Sequence, residues 1–419
     1  KLIGIIRNKK NFLIFISLKA IVMILNLVTN IFIVRKLSVK DYGVFSLAFM
    51  LIGLITTFGF SWSSSSIIYY GSKEKEKYGS INKTFWARNI IILFSLVITT
   101  FLFLIFRTQI NDYIGLDVSM LIIIWLYISI AEDYLSQYFL AVKKQLISSL
   151  LSVTAKIIYL IMIFVFSYNV KTLILLNILS HASVLLYIFA IDKKDIGKFE
   201  FDKSWFKEVF RFSIWQLFGF SGLYLINFGD TLVIKYFMTT EDVAIYNVAY
   251  KLFGAIASFS FVISNYYASS ISSFFYNKDR LNIRRFYYND RFIILTLSTL
   301  AHILIAIFSK QIITVLYGVR YIEACNIFIV LMIGSIFEYC GVFYLLYYNT
   351  NNKYKIQQKL NIIKAILNLL LDIILIKKFG LIGPAIATTI SIIVSNVCSF
   401  LFCEKRIKRA CKINVMKKG

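Results

Sequence analysis

The sequence predicts an all-α, polytopic membrane protein of twelve transmembrane helices, arranged as two six-helix bundles around a central cleft. Three observations carry that expectation. Apolar residues make up 59% of the 419, and mean hydropathy is +0.75. Apolar runs of about 18 residues or more recur from end to end, the signature of membrane-spanning helices. A single proline, Pro384, interrupts the whole length. The alternating segments of about ten residues that build a membrane β-barrel do not occur in it.

Taken in order, the runs place spans at 12–34, 43–69, 89–106, 118–142, 146–168, 172–191, 212–237, 243–271, 291–309, 323–348, 358–376 and 380–402. The first follows basic residues and lacks a small-residue cleavage site, so it reads as a span and not a signal peptide. The formal net charge is +25. A surplus of that size is also seen in nucleic-acid binders, but here it follows the bias of cytoplasmic membrane loops toward Lys and Arg. With the N-terminus inside, the segments 1–11, 70–88, 143–145, 192–211, 272–290, 349–357 and 403–419 carry most of the surplus. Both termini are therefore expected in the cytoplasm, and no nucleic-acid partner is implied. The five cysteines are scattered and imply neither a disulfide framework nor a metal site.

The halves repeat. Residues 33–53 fall without a gap on 234–254 at an offset of 201, matching Ile33 to Ile234, Asp41 to Asp242, Ala48 to Ala249, Leu51 to Leu252 and Gly53 to Gly254. An even number of spans per half makes these parallel repeats. The expected division is an N-terminal bundle over 1–191, a charged cytoplasmic linker over 192–211, and a C-terminal bundle over 212–419 ending in a basic tail. Within the linker, Trp205, Phe206, Val209 and Phe210 recur at helical spacing. They fit a short interfacial helix or a plain tether.

A charge inside a span is costly and faces a cavity or a partner. Lys19 shares a stripe with Asn26 and Asn30. Glu132 and Asp133 lie mid-span, with Ser129 and Gln137 on the face of Asp133. Lys156 is central in the fifth span. Ser213, Gln216, Tyr224 and Asn227 lie close to one face of the seventh, beside Asp230. Asn247, Lys251, Ser258 and Asn265 line the eighth. Glu338 is central in the tenth. In the eleventh, Asn361, Lys364, Asn368 and Asp372 are spaced three, four and four, on one stripe of a helix otherwise rich in Leu and Ile. The four lysines Lys19, Lys156, Lys251 and Lys364 point to a partly cationic wet cleft for an anionic amphiphile. The competing reading is internal pairing, such as Lys156 with Glu132 or Lys364 with Asp372. The acids Glu132, Asp133, Asp230, Glu338 and Asp372 fit coupling by H+ or Na+, or service as pair partners. His181 and His302 read as satisfied core histidines. The serine run 61–66 reads as close packing or a wet wall. No phosphate-binding Gly-rich loop points to an ATP-driven pump, so no cofactor is expected.

At 368–391, NLLLDIILIKKFGLIGPAIATTIS, the chain resembles the polysaccharide-transporter branch of the multidrug/oligosaccharidyl-lipid/polysaccharide exporter superfamily. There an Asn-rich helix leads into Phe-Gly and a Gly-Ala-Ala-x-Ala-Thr segment. GDTLVIKYFMTTEDVAIYNVAYKL (229–252), FSKQIITVLYGVRYIEACNIFIVL (308–331) and RKLSVKDYGVFSLA (35–48) resemble further stretches of that branch, in order along the chain. The likeness extends to Wzx-type O-antigen or capsule repeat-unit flippases. It departs at Gly383-Pro384-Ala385, where proline near a helix start is tolerated. Peptidoglycan-precursor flippases of the superfamily usually have fourteen spans, and twelve argues against that substrate.

The resemblance implies a transporter, not an enzyme, in the bacterial inner membrane. Its substrate would be an undecaprenyl-diphosphate-linked oligosaccharide, too polar in its head to cross hydrocarbon unaided. The lysines would hold the diphosphate, and Asn, Gln, Ser and Tyr stripes would meet sugar hydroxyls. The polysaccharide polymerase and chain-length regulator would be its partners. Two other activities compete. A multidrug cation antiporter of the same superfamily would favour an acidic, aromatic pocket. A polymerase or membrane glycosyltransferase would be expected to carry a long outer loop with arginines, where this chain has about 13 residues and only Arg320.

Overall fold

The computed structural model describes residues 2–142, 144–166, 169–191, 198–351 and 353–411, and these are almost wholly helical. Nine helical stretches among the described residues are long and apolar enough to cross a membrane. The spans expected at 12–34, 212–237 and 358–376 are helical too, but lie outside that set. The chain is thus a multi-pass membrane protein. It divides into two compact units, Lys1–Tyr224 and Leu225–Gly419.

The first unit contains α1 (Leu2–Lys36), α2 (Val39–Ile55), α3 (Ser64–Tyr78), α4 (Asn82–Ile105), α5 (Arg107–Ile114), α6 (Ser119–Ala141), α7 (Gln145–Val165), α8 (Val170–Ile191) and the start of α9 (Lys203–Phe237). α1 packs on α7, α6 on both α7 and α8, and α3 on α4 and α6. The expected second span, 43–69, is not one regular helix. A wide turn at Thr56–Phe60 and a tight one at Ser61–Ser63 separate α2 from α3. Side chains take up carbonyls there: Trp62 Nε1 donates to Gly59 O at 3.0 Å, and Ser63 Oγ to Phe60 O at 3.0 Å. Local bonding of this kind offers the backbone an alternative to the regular ladder.

The linker expected at 192–211 is described from 198 onward, with 192–197 outside the described residues. Its aromatic turn is not a separate short helix. It is the first part of the 35-residue α9. Asp202 caps that helix, accepting from Ser204 N at 2.9 Å and Trp205 N at 3.1 Å. Val209, Trp205 and Phe206 pack with Ala87 and Ile91 of α4 and with Trp62 and Tyr70. Trp205 Nε1 donates to Thr84 Oγ1 at 2.9 Å, and Lys83 Nζ lies 3.2 Å from Asp202.

The second unit holds the rest of α9, then α10 (Thr240–Tyr276), α11 (Arg280–Arg285), α12 (Arg291–Ile307), α13 (Ser309–Tyr317), α14 (Ala324–Thr350), α15 (Tyr354–Phe379) and α16 (Ile382–Cys411). α10, α14 and α16 pack in series, and α15 lies against α16. Gly380, at φ +60°, ends α15. A Cβ at Gly383 would collide with the backbone of Leu375 and Ile376, so this glycine sets the close approach of α16 to α15. Pro384 sits in the first turn of α16, where its missing N–H leaves no helical bond unmade.

The repeat reappears as matched helix starts. Ser38 Oγ accepts from Asp41 N at 3.1 Å to begin α2, and Thr239 Oγ1 accepts from Asp242 N at 3.2 Å to begin α10. Both pairs are 201 apart in sequence. Ala48 and Ala249 are both fully buried behind them.

Candidate functional site

The second unit buries a cluster of oxygen and amide groups drawn from four helices. Asp230 on α9 is 2% exposed and Asp372 on α15 is fully buried. Asn368, one turn before Asp372, donates Nδ2 to Asp230 Oδ1 at 2.7 Å and to Asp372 Oδ2 at 3.0 Å. Thr388 Oγ1 of α16 donates to Asp230 Oδ2 at 2.8 Å, and the Tyr246 hydroxyl of α10 donates to the same oxygen. Among the described residues Asp372 Oδ1 has no hydrogen-bond partner. Among the described residues no lysine, arginine or histidine forms an ion pair with either carboxylate. Two buried carboxylates bridged by one amide repel each other when both are charged. Carboxylate and hydroxyl oxygens dominate the cluster, with the Asn368 amide nitrogen between the two carboxylates. No group of three or more His, Cys, Asp and Glu gathers among the described residues.

Beside it, Asn247 is buried and donates to Val243 O at 2.9 Å, and to Thr231 Oγ1 at 3.4 Å. Lys364 Nζ meets Glu338 Oε1 of α14 at 2.6 Å, and not Asp372. Lys364 and Asp372 are eight residues apart, about 12 Å along one helix, which is beyond an ion pair's reach. Lys251 lies 5.9 Å from the Phe228 ring. Asn361 and Asn227 are exposed. The side chain of Asn265 lies outside the described residues.

The first unit carries a separate charge network. Arg88 of α4 is 1% exposed, and its Nη2 reaches Ser64 Oγ at 3.1 Å and Asp133 Oδ2 at 3.3 Å. Ser64 Oγ donates to the same Asp133 oxygen at 3.0 Å, and Gln137 Nε2 to its other oxygen at 3.3 Å. The guanidinium lies 4.8 Å from the Tyr134 ring. The Asp133 side chain stays 41% exposed. Arg88 thus holds a carboxylate that still reaches the surface of the unit. Glu132 bonds His181, and Lys156 interacts electrostatically with Glu132. His302 is satisfied by Ser298 O at 2.7 Å and Ser335 Oγ at 2.8 Å. Asn30 Nδ2 donates to the Tyr42 hydroxyl at 2.9 Å, Asn26 is exposed and Gln216 is half-buried. Tyr224 is buried and donates to Met50 O at 3.1 Å. The side chain of Lys19 lies outside the described residues.

Arg88 was not among the groups singled out from sequence, because hydropathy starts the third span at 89 and leaves it in a loop. The helix begins earlier. Buried Glu74 accepts from Lys83 N at 2.9 Å and Thr84 N at 2.8 Å, satisfying the first amides of α4. The buried stripe Thr84, Arg88, Ile91 and Ile92 was the available signal. Thr388 and Tyr246 were also missed.

Known proteins match this chain. A family profile described as polysaccharide biosynthesis protein matches residues 9–266, and one described as lipid II flippase MurJ matches 177–418. A probable low-salt glycan biosynthesis flippase, Agl15, of Haloferax volcanii is 24% identical over 46% of this chain and 40% of its own length. A capsular polysaccharide biosynthesis protein, CapF, of Staphylococcus aureus is 27% identical over 58% of this chain and 63% of its own. An uncharacterized membrane protein of Methanocaldococcus jannaschii is 24% identical over 59% and 51% respectively. The chain thus spans roughly half the length of the curated relatives it matches. Among solved structures, a lipid II flippase MurJ in an inward closed conformation aligns with a TM-score of 0.76 at 17% identity, over 95% of this chain and 90% of that one. An inward-facing multidrug resistance MATE family transporter aligns at 0.71 and 15% identity, over 96% and 99%. These structures establish the fold. With a family profile matched across more than half its length, the chain belongs to the polysaccharide biosynthesis protein family, of the polysaccharide-transporter type within the multidrug/oligosaccharidyl-lipid/polysaccharide exporter superfamily.

Proposed function

We propose that the protein is a flippase. It moves an undecaprenyl-diphosphate-linked oligosaccharide, an O-antigen, capsule or related repeat unit, from the inner to the outer leaflet by alternating access. The observation that supports this reading is the set of charged and amide side chains carried on long helices in a chain of this family, with Lys156 and Lys251 inside stretches apolar enough to cross a membrane. Lys156, Lys251 and Lys364, with Lys19, attract the diphosphate. Asn26, Asn30, Gln216, Asn227 and Asn361 offer amides to sugar hydroxyls.

The Asp230–Asp372 cluster supplies the coupling site, for H+ or Na+. Cation entry there relieves the repulsion of two buried carboxylates, so occupancy biases the helices α9, α10, α15 and α16 that contribute to it. The protein sits in the cytoplasmic membrane with both termini inside, and it delivers its product to a polysaccharide polymerase and chain-length regulator. A second reading, lipid II as substrate, is favoured by the MurJ profile over 177–418.

A deletion strain tests both. Lipid-linked repeat units accumulating on the inner leaflet, with surface polysaccharide lost and drug resistance intact, support the proposal. Rescue of a strain lacking its lipid II flippase selects the second reading. Loss of drug resistance alone, or single units facing outward, sinks both.

A further inference from the structure

Outside the groups discussed so far, the second unit has a cavity of about 790 Å³ lined by Asn282, Arg284, Arg285, Tyr288, Asn289 and Lys408. Three cations from two elements meet there, and no carboxylate lines it. Two nearby acids are engaged elsewhere. Asp279 caps α11, accepting from Asn282 N at 3.2 Å and Nδ2 at 2.7 Å. Glu404 pairs with Arg291 at 2.7 Å and accepts from the Tyr344 hydroxyl at 3.0 Å.

The scaffold below is densely packed. Ile283, Phe286 and Tyr287 are buried in one cluster with Tyr348, Cys403 and Ile407, which fixes α11 and the wide turn Phe286–Asp290 against α16. Burial of that face leaves Arg284, Arg285, Tyr288 and Asn289 exposed, next to the exposed Lys408.

We propose that this cavity binds the phosphate headgroup of an anionic phospholipid. Arginine pairs present forked donors that match phosphate oxygens, and lysine adds a point charge. The occupant is a lipid and not a free anion for two reasons. The cavity lies at the ends of two spanning stretches, Arg280–Ile307 and Ile382–Arg409, where a headgroup layer sits. Leu281, lining the same cavity, is 74% exposed and offers apolar surface to an acyl chain. The site is independent of the flipping proposal, since none of its residues belongs to the coupling cluster or the charged spans.

The test uses the full-length protein, purified and titrated with cardiolipin, phosphatidylglycerol or phosphatidylcholine under native mass spectrometry. Wild type retains the two anionic lipids over phosphatidylcholine. The triple variant R284A/R285A/K408A weakens that retention on the order of 10- to 100-fold. A control triple outside the cavity, K353A/K355A/K359A, leaves it unchanged, and circular dichroism verifies that both variants are helical. Equal retention by the two triples overturns the proposal, as does full displacement of lipid by millimolar inorganic phosphate. A triple variant that has lost its helicity is replaced by R284Q/R285Q, for which retention equal to wild type also overturns it.

Discussion

Asn368 Nδ2 lies 2.7 Å from Asp230 Oδ1 and, through the same nitrogen, reaches Asp372. One amide thus spans two buried carboxylates from helices far apart in sequence. A lone amide cannot neutralise two charges. Asp230→Asn and Asp372→Asn are each expected to abolish the dependence of transport on H+ or Na+ and to lower transport at least tenfold. Their thermal stability should match or exceed wild type, because a buried charge has gone. Asn368→Leu should instead lose about 1–3 kcal/mol, because it strips both carboxylates of a donor. Transport against a cation gradient in vesicles, with thermal unfolding alongside, checks all three.

Lys364 and Glu338 separate substrate binding from structure. If the ion pair is the whole role of Lys364, the exchange K364E/E338K restores what either single change loses. The account predicts that the exchange restores stability but not surface polysaccharide, since the ammonium has left the position that attracts diphosphate. Quantifying surface glycan in a null strain that expresses each variant equally decides it.

Arg88 is fully enclosed and holds the half-exposed Asp133. Removing one partner of a fully buried pair costs about 3–5 kcal/mol. The Asp133 side chain is 41% exposed, so Arg88→Ala should cost less, about 2 kcal/mol, read as a lowered midpoint of thermal unfolding. Asp133→Asn should cost less and leave Arg88 bonded to Ser64.

Asp202, outside the spans, carries a pH dependence. Its carboxyl is held well below the usual carboxylate range by the Ser204 hydroxyl, the Trp205 N–H and the Lys83 ammonium. A group with a depressed folded value stabilises above its unfolded value, about pH 4, and loses that contribution as pH falls toward the folded one. The start of α9 should therefore detach from α4 only below about pH 4, seen as a change in Trp205 and Trp86 fluorescence. Asp202→Asn should remove this acid transition.

Helices were the legible part of the sequence. Long apolar runs announce them whatever they pack against, and the Asp41–Asp242 match located two helix starts that proved to share one capping device. Within a helix, spacing was also informative: Asn368 and Asp372, four apart, do bond to each other. Partners on other helices were legible only in part: Lys156 with Glu132 was one of the pairings the sequence offered, and the two do interact. Nothing in the spacing along α15 points to Asp230, 138 residues earlier, or selects Glu338 over Asp372 for Lys364. Arg88 escaped because its charge lowers the local hydropathy that marks a span, although the helix, its first amides held by Glu74, begins at Asn82, six residues before it. The linker's aromatic residues left a short helix and a plain tether equally open, and gave no sign of continuity with the next span. No charged break falls between Trp205 and Asp230 except Lys207, Glu208 and Arg211, which a helix end accommodates on its solvent side.

The most direct test of the central claim is transbilayer movement in vesicles reconstituted with purified protein and an undecaprenyl-diphosphate-linked oligosaccharide. A membrane-impermeant glycan-modifying enzyme added outside reports on the outer leaflet. The account predicts that the accessible fraction changes with an imposed H+ or Na+ gradient for wild type, and stays at the protein-free level for Asp372→Asn. Wild-type vesicles that match protein-free vesicles, under either gradient, would contradict it.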